Sequence, residues 1–306
     1  MVVQPHLAGG GATAVSFYVN SATGNDASAV LGTAPYKTIT KAVQMASAVA
    51  LTSGANINVA SGVYSAATGE VFPIMLTNGM NIVGTGIADV EGSGNFTVGE
   101  GDQMGNIIST TFAASSPSAT TNINVSITGI TASSVAGAPT VVSAVGTNLT
   151  LSNNTFTFPV NGSNYPVWIM ASSVAAISNN TITGWVAIDS SDFGTKMKLR
   201  GNKLDGGFTV CTADFSAIPS QLDLGTAADP GNNTIKRSGG GTAGLNSFNP
   251  YASAVVITAV GNTWPASGVQ GADANAHYAA SSVVGGTAAA TSGPNYNVVP
   301  TAGIQF

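Results

Sequence analysis

The residues best suited to chemistry are gathered between positions 189 and 237, which hold 12 of the 21 charged residues of this 306-residue chain. Asp192, Asp214, Asp223 and Arg200 are the catalytic candidates in this stretch. Calcium needs several convergent oxygen ligands, and glycoside cleavage needs two convergent carboxylates or carboxylates with a base. The alternative is that opposite charges pair on a solvated face, which the mixture of signs favours.

A second acidic cluster lies in the segment ADVEGSGNFTVGEGDQ. Its carboxylates belong to Asp89, Glu91, Glu100 and Asp102. They would form a weak cation site if they converged, but their spacing is not that of an EF-hand loop, so a solvated loop is the alternative. We therefore predict no cofactor and no defined metal site, and Ca²⁺ is the one ion that these clusters suggest.

Composition excludes several classes of partner. Only 7% of the residues are charged, against about 25% in an ordinary soluble domain. Because 44% are hydrophobic, the chain should fold, with a surface of neutral hydroxyls and amides. Eight basic residues and an isoelectric point near 4.7 argue against nucleic acid. No apolar run approaches about 20 residues, so we predict no membrane span. Such a surface suits an extracellular or cell-surface location.

The elements that must position these residues are short alternating segments that repeat along the second half of the chain. Each segment places an apolar residue two positions after a polar one, at intervals of 22 to 31 residues. The polar members are Thr128, Asn154, Asn180, Asn202, Asn233 and Asn262. Repeats of this length indicate a solenoid, and their uneven spacing favours coils with loops of different length over uniform propeller blades.

A parallel β-helix explains why the polar position is so often asparagine. Like residues of successive coils fall into columns about 4.8 Å apart. An amide at one corner can bond backbone groups of the coils above and below, while aliphatic columns fill the bore. Helical spacing of apolar residues from Ile39 to Ala50 predicts one helix, which follows Pro35 and precedes Gly54. Because a solenoid end exposes unpaired strands, we expect this helix to cap it.

Several segments resemble a known family. They are Tyr18-Val19, Gly24-Asn25-Asp26, the run from Pro35 to Ala42, Gly62-Val63-Tyr64, Gly69-Glu70 before Phe72-Pro73-Ile74, and the later LDLGTAADPGNNTI and AVGNTW. Together they resemble the DUF1565-type proteins of the pectin-lyase-like superfamily. The resemblance implies an all-β fold, a right-handed parallel β-helix (solenoid), with a short N-terminal capping helix near 36–50. It implies no activity, because this fold hosts enzymes and non-enzymes alike.

Polysaccharide lyases of that superfamily typically hold Ca²⁺ with clustered carboxylates and use an arginine or lysine as base. The resemblance therefore gives residues 189–237 an alternative interpretation, as a groove that binds or cleaves carbohydrate. Recognisable lyase motifs are absent, so we favour a protein without catalytic activity. Glu70 is interpreted as a structural residue that bonds turn amides at the first coil.

The two ends of the chain suggest self-association. We expect an N-terminal tail over 1–15, the β-helix over 16–282 and an extended C-terminal tail over 283–306. These tails mix glycine and alanine with short β-prone runs. They pack either on their own β-helix or against neighbouring subunits as added strands. The sequence thus predicts an exported, non-catalytic β-helix with a structural role, self-assembling into a fibre or sheath.

Overall fold

The computed structural model shows a parallel β-solenoid with one α-helix near its N-terminal end. The structure describes residues 14–48, 54–72, 74–92, 108–110, 123–134, 142–145, 147–157, 167–170, 173–183, 186–189, 196–205, 208–211, 222–235, 245–247, 255–258, 260–263 and 296–299. Most of both predicted tails therefore lies outside the described residues.

Successive coils stack as three rows of parallel strands. The first row contains β1 (Val15–Val19), β2 (Ala55–Val59), the first part of β5 (Met80–Gly92), the first part of β7 (Ile123–Ser134), β9 (Thr147–Ser152), β12 (Val174–Ser178), β15 (Lys196–Arg200) and β18 (Leu222–Asp223). The second row contains β3 (Gly62–Ser65), the later parts of β5 and β7, β10 (Thr155–Thr157), β13 (Thr181–Ile182), β16 (Lys203–Leu204) and β19 (Thr234–Ile235).

The third row contains β4 (Ile74–Leu76), β6 (Ile108–Thr110), β8 (Val142–Val145), β11 (Val167–Met170), β14 (Val186–Asp189), β17 (Phe208–Cys211) and β20 (Leu245–Ser247). A short 3₁₀ turn, Ala66–Thr68, follows β3. Two further strands, β21 (Val255–Thr258) and β22 (Tyr296–Val299), pair with each other in parallel. This topology confirms the predicted parallel β-helix.

Alternation along the first row separates a core column from an outer face. The inward members in one register are Phe17, Ile57, Ile82, Ile127, Leu151, Ile177 and Leu199, all of them buried. Aromatic, branched and aliphatic side chains of this kind pack well on the pleated surface of a strand. The core therefore continues from one coil to the next, and the alternate residues of the same strands face outward.

Helix α1 (Ile39–Ala48) lies within the predicted 36–50 range and contacts β1, β2 and β4. Its apolar face, made of Ile39, Ala42, Val43 and Ala46, is buried in the core. This face covers apolar surface at the N-terminal end of the bore that would otherwise meet water. The single helix in the described residues is thus the predicted cap.

Two carboxylates from distant loops hold the first turn of this helix. Asp26 accepts hydrogen bonds from the backbone N–H groups of Lys37 and Thr38, at 2.7 and 3.1 Å. The carboxylate of Glu70, which is buried, accepts from the N–H groups of Ile39 and Thr40 at 2.6 and 2.9 Å. These groups are the free donors that every helix start leaves. The amides that Glu70 bonds thus belong to the helix and not to a turn of the first coil.

Candidate functional site

Five asparagines form a buried column at the corner between the first and second rows. They are Asn154, Asn180, Asn202, Asn233 and Asn262. The Oδ1 atom of Asn180 accepts the backbone N–H of Asn154 at 2.9 Å and its side-chain Nδ2 at 3.0 Å. The Nδ2 of Asn180 donates to the Leu151 carbonyl and to Oδ1 of Asn202, both at 3.0 Å. The same pattern repeats at Asn202 and Asn233.

The register excludes Thr128 from this column. Thr128 pairs with Ser152, and the two hydroxyl oxygens are 2.9 Å apart on the outer face. The residue at the level of the asparagines is Ile130, whose backbone N–H donates to Oδ1 of Asn154 at 2.9 Å. The predicted position was wrong by two residues because this coil has no asparagine at the corner.

The residue before each corner position adopts a left-handed backbone conformation, a role that the repeat pattern alone did not reveal. Asparagine fills it at Asn153, Asn179 and Asn232, with φ of 51–56°, and glycine fills it at Gly129, Gly201 and Gly261, with φ of 65–78°. Asparagine and glycine are the residues that tolerate this conformation best. The signal is visible in the sequence as an Asn or Gly directly before each column residue. The repeated Asn-Asn pairs thus combine a turn residue with a column residue.

The charged stretch forms an ion-pair cluster at the outer face of the first row. The Nη2 atom of Arg200 is 2.8 Å from both carboxylate oxygens of Asp223 and 2.9 Å from Oδ2 of Asp229. Lys198 donates from Nζ to the same Asp229 oxygen at 2.7 Å. Of the four catalytic candidates, the structure therefore brings together Asp223 and Arg200, and it adds Asp229, which was not a candidate. Asp192 and Asp214 lie outside the described residues.

The ion pairs of this cluster keep Asp229 and Arg200 in their charged forms. Hydrogen bonds from Arg200 and then Lys198 lower the pKa of Asp229 to about 2. Burial lowers the pKa of Arg200, but hydrogen bonds to Asp229 and Asp223 outweigh that effect and raise the pKa above its ordinary value. A group that stays protonated more strongly than usual is a poor general base.

The second acidic cluster is only partly described. The backbone of Asp89 pairs with Val63, and that of Glu91 with Ser65, within β5. Glu100 and Asp102 lie outside the described residues. Within the described part of the chain, no three His, Cys, Asp or Glu side chains gather as metal ligands would.

A shallow groove of about 650 Å³ crosses the outer face of the first row, from β5 to β15. We call it the amide groove; its polar lining residues are Asn78, Asn81, Asn124, Ser126, Asn148, Thr150 and Lys198. Outward positions of stacked strands supply most of them, since Asn81, Ser126, Thr150 and Lys198 occupy successive levels of one column with Ala176. The alternative interpretation placed a carbohydrate groove over 189–237; of the described residues in that stretch, Lys198 alone lines this groove.

Hydrogen bonds between neighbouring coils order the amide groove. Asn148 donates from Nδ2 to Oδ1 of Asn124 at 2.9 Å, and Ser126 donates to Oδ1 of Asn81 at 2.6 Å. Oδ1 of Asn78 accepts the backbone N–H of Asn124 at 2.8 Å. Asn78, Asn124 and Asn148 are nevertheless solvent-exposed. The groove thus presents amide and hydroxyl groups, several of them fixed by these bonds, with the cationic Lys198 side chain at its end.

The described part of the predicted tails includes Val15, the first residue of β1, and the strand β22. Tyr296–Val299, from the predicted C-terminal tail, pairs with Val255–Thr258 of the same chain. Among the described residues there is also no helix of the length and apolarity that a bilayer crossing requires.

Comparison with known proteins gives a family. A search of curated proteins found no match to this chain. A family model described as "Protein of unknown function (DUF1565)" matches residues 22–269, which is most of the chain and includes the helix cap and the asparagine column. The parallel solenoid is consistent with a β-helix of the pectin-lyase-like type. The chain therefore belongs to the DUF1565 family.

Proposed function

We propose that this protein is a non-catalytic β-solenoid of the cell exterior that binds polysaccharide along its amide groove. The observation that carries the proposal is the lining of that groove. Stacked coils place amides and hydroxyls at successive levels about 4.8 Å apart, and the inter-coil bonds of Asn81 and Asn148 fix two of those amides.

A regular array of neutral donors and acceptors suits a polymer of sugars. Such a polymer carries hydroxyl groups, which both donate and accept, at a repeating interval. Binding sites gain specificity from a few fixed polar groups among apolar neighbours. The groove supplies those neighbours as Val174 and Ala176, which are exposed between the polar positions. Inter-coil hydrogen bonds already restrict the polar side chains of the groove, so those side chains lose less entropy on binding.

The ion-pair cluster supports a role without catalysis. Glycoside hydrolysis needs a carboxylic acid held protonated near neutral pH beside a second carboxylate. Asp229, with a pKa of about 2, is ionised at that pH. Arg200 is committed to Asp223 and Asp229 and has a raised pKa, which disfavours proton abstraction.

The test is a binding assay with a matched pair of double variants. Asn81→Ala with Ser126→Ala removes a bonded pair from the amide groove, and Thr155→Ala with Thr181→Ala alters two exposed positions of the second row as the control. Co-sedimentation with insoluble polysaccharides and affinity electrophoresis in soluble ones measure binding. We expect the groove variant to bind about tenfold more weakly, the equivalent of two lost hydrogen bonds, and the control to bind as the wild type does.

Two results would overturn the proposal. One is a wild-type protein that binds no member of a panel of neutral and acidic polysaccharides. The other is release of reducing ends or unsaturated sugars from the panel, with or without Ca²⁺, which would establish an enzyme instead.

Self-assembly is the second candidate, and the end strand β22 favours it. Among the described residues, β22 pairs on one side only, with β21. An open parallel edge can accept a strand of another copy, and head-to-tail contacts of that kind propagate without closing. Electron microscopy of the purified protein at high concentration tests this; a monodisperse monomer without filaments would reject it.

A further inference from the structure

A second cleft lies at the N-terminal end of the same outer face, apart from the amide groove. Its volume is about 450 Å³, and its larger and polar lining residues are Tyr18, Asn20, Thr33, Pro35, Asn58 and Thr85. None of the described residues that line it carries a charged side chain. The cleft is built by β1, β2 and the loop that leads into α1, so regular elements form its floor.

Tyr18 distinguishes this cleft from the rest of the described surface. Its neighbours Phe17 and Val19 are buried at 1% exposure, whereas the Tyr18 side chain is 46% exposed on the opposite face of β1. No other aromatic residue whose burial is described is exposed to this extent. Exposed aromatic rings supply large, rigid contact area at binding surfaces, with few torsions to order.

Polar groups line the same cleft as the Tyr18 ring. Asn58 is the register partner of Tyr18 on β2, and its Nδ2 makes two long bonds, 3.3 Å to the Phe17 carbonyl and 3.4 Å to the Asn56 carbonyl. Its Oδ1 accepts no hydrogen bond from the described residues. The Thr85 hydroxyl donates to the Val59 carbonyl at 3.1 Å and keeps its acceptor capacity.

We propose that this cleft is a second saccharide site, in which one neutral sugar ring stacks on Tyr18. The C–H face of a pyranose packs on an aromatic ring, and its hydroxyls then reach Asn58 Oδ1 and the threonine hydroxyls. The described lining is uncharged and would leave a carboxylate or sulfate without a cationic partner, so it favours a neutral sugar over a uronate or a sulfated one. The inference rests on the proposed polysaccharide binding and adds a ligand class and a second contact point.

The position of the cleft connects it to the amide groove. Tyr18 and Asn58 occupy one outward column of the first row, and the neighbouring column contains Asn56 and Asn81. A polysaccharide long enough to reach both sites would bind more tightly than a short one, because the second contact is then intramolecular. A single ring would bind at Tyr18 alone.

The experiment observes Tyr18 directly. Wild-type protein with ring-labelled tyrosine is titrated with neutral oligosaccharides and observed by NMR, and the Tyr18→Phe variant identifies the Tyr18 signal by its disappearance. We expect Tyr18→Ala to weaken oligosaccharide binding about tenfold through loss of stacking. Tyr18→Phe should retain most of the affinity, and Val63→Ala, which alters an equally exposed side chain on β3, should retain all of it.

The outcomes separate this inference from the proposed function. If polysaccharide binds the wild type but the Tyr18 signal does not move and Tyr18→Ala binds equally well, only the inference is overturned. If the Tyr18 signal moves with short oligosaccharides while the groove double variant binds polysaccharide as the wild type does, the saccharide site at the cleft is supported and binding along the amide groove is overturned. If no carbohydrate binds by either assay, both fall.

Discussion

Asparagine stacks in two places in this solenoid, and the two places impose different requirements. In the corner column, the Oδ1 of Asn180 accepts two hydrogen bonds and its Nδ2 donates two, all within the buried interior. On the outer face, Asn124 and Asn148 are hydrogen-bonded to each other and still exposed to water. An amide that water cannot reach must be satisfied by protein, whereas an exposed amide can exchange water for a ligand. Burial therefore makes the first group structural and leaves the second group able to bind.

The largest effect should come from breaking the corner column at its middle. Asn180→Ala removes four hydrogen bonds. It deprives the buried Asn154 backbone N–H and the Leu151 carbonyl of their Asn180 partner, and it leaves Asn154 Nδ2 and Asn202 Oδ1 with one partner each instead of two. We expect a loss of about 3 kcal/mol in the free energy of unfolding, from the penalty of unsatisfied buried groups. Urea unfolding followed by circular dichroism measures it.

Asn148→Ala on the outer face is the matched control for that variant. It should change stability by less than about 0.5 kcal/mol, as surface substitutions usually do. Equal losses in the two variants would remove the distinction between structural and exposed asparagines.

The next effect concerns a carboxylate that resembles the corner asparagines in being buried and fully used. Glu70→Ala removes the acceptor for the N–H groups of Ile39 and Thr40, and we expect a loss of about 2 kcal/mol, at the upper end for a helix cap. Helicity of α1 should fall in the circular dichroism spectrum, and thermal unfolding should shift downward. An unchanged melting temperature would show that the cap is dispensable.

Glu70 also predicts a pH dependence. Burial raises its pKa above the ordinary value of 4.5, and hydrogen bonds from Thr40 and Ile39 offset this only in part. A carboxyl whose pKa is raised in the folded state contributes its full stability at pH values below its unfolded-state pKa. That stability is lost as pH rises through the folded-state pKa. The unfolding free energy of wild type relative to Glu70→Gln should therefore fall with rising pH across that window. A difference that is flat or rises would contradict the assignment.

A smaller effect is expected at the left-handed corner asparagines, which lie beside the column but are exposed. Asn179 has φ of 56°. Replacement by alanine should cost about 1 kcal/mol, because a Cβ without a local polar partner disfavours this conformation. Asn179→Gly should be nearly neutral, since glycine tolerates it and already fills the equivalent position at Gly201. Urea unfolding of the two variants tests the order, and equal stabilities would refute the backbone explanation.

The corner column could be predicted from the sequence because its asparagines recur in a repeated pattern. Asn154, Asn180, Asn202, Asn233 and Asn262 stand at the same place before an apolar residue, and a parallel register requires such residues to stack. Only the first level was misplaced, where Gly129 and Ile130 replace the usual pair and no asparagine marks the corner.

The arrangement of the outer face could not be predicted from the sequence in this way. Asn81, Ser126 and Thr150 differ in type, and only the strand register places them at successive levels. Asp229 reaches the ion-pair cluster from the loop after β18, and no repeat indicates where a loop residue returns. In the sequence, Tyr18 is one outward position of an alternating strand. Only the folded structure shows that it borders a cleft.

A small effect on folding is also expected at the charged end of the outer face. Asp229 is about half exposed, so solvent and salt screen its ion pairs, and Asp229→Asn should shift the melting temperature less than Asn179→Ala does. Its ionisation is the sharper observable. Because the pKa of Asp229 is depressed to about 2, its ion pairs contribute their full stability above the ordinary pKa of 3.8. That contribution is lost as pH falls through the folded-state pKa. NMR titration of the Asp229 carboxyl carbon should give that midpoint, and Lys198→Ala should move it upward. A wild-type midpoint near 3.8 would mean that Arg200 and Lys198 do not stabilise the ionised Asp229 carboxylate.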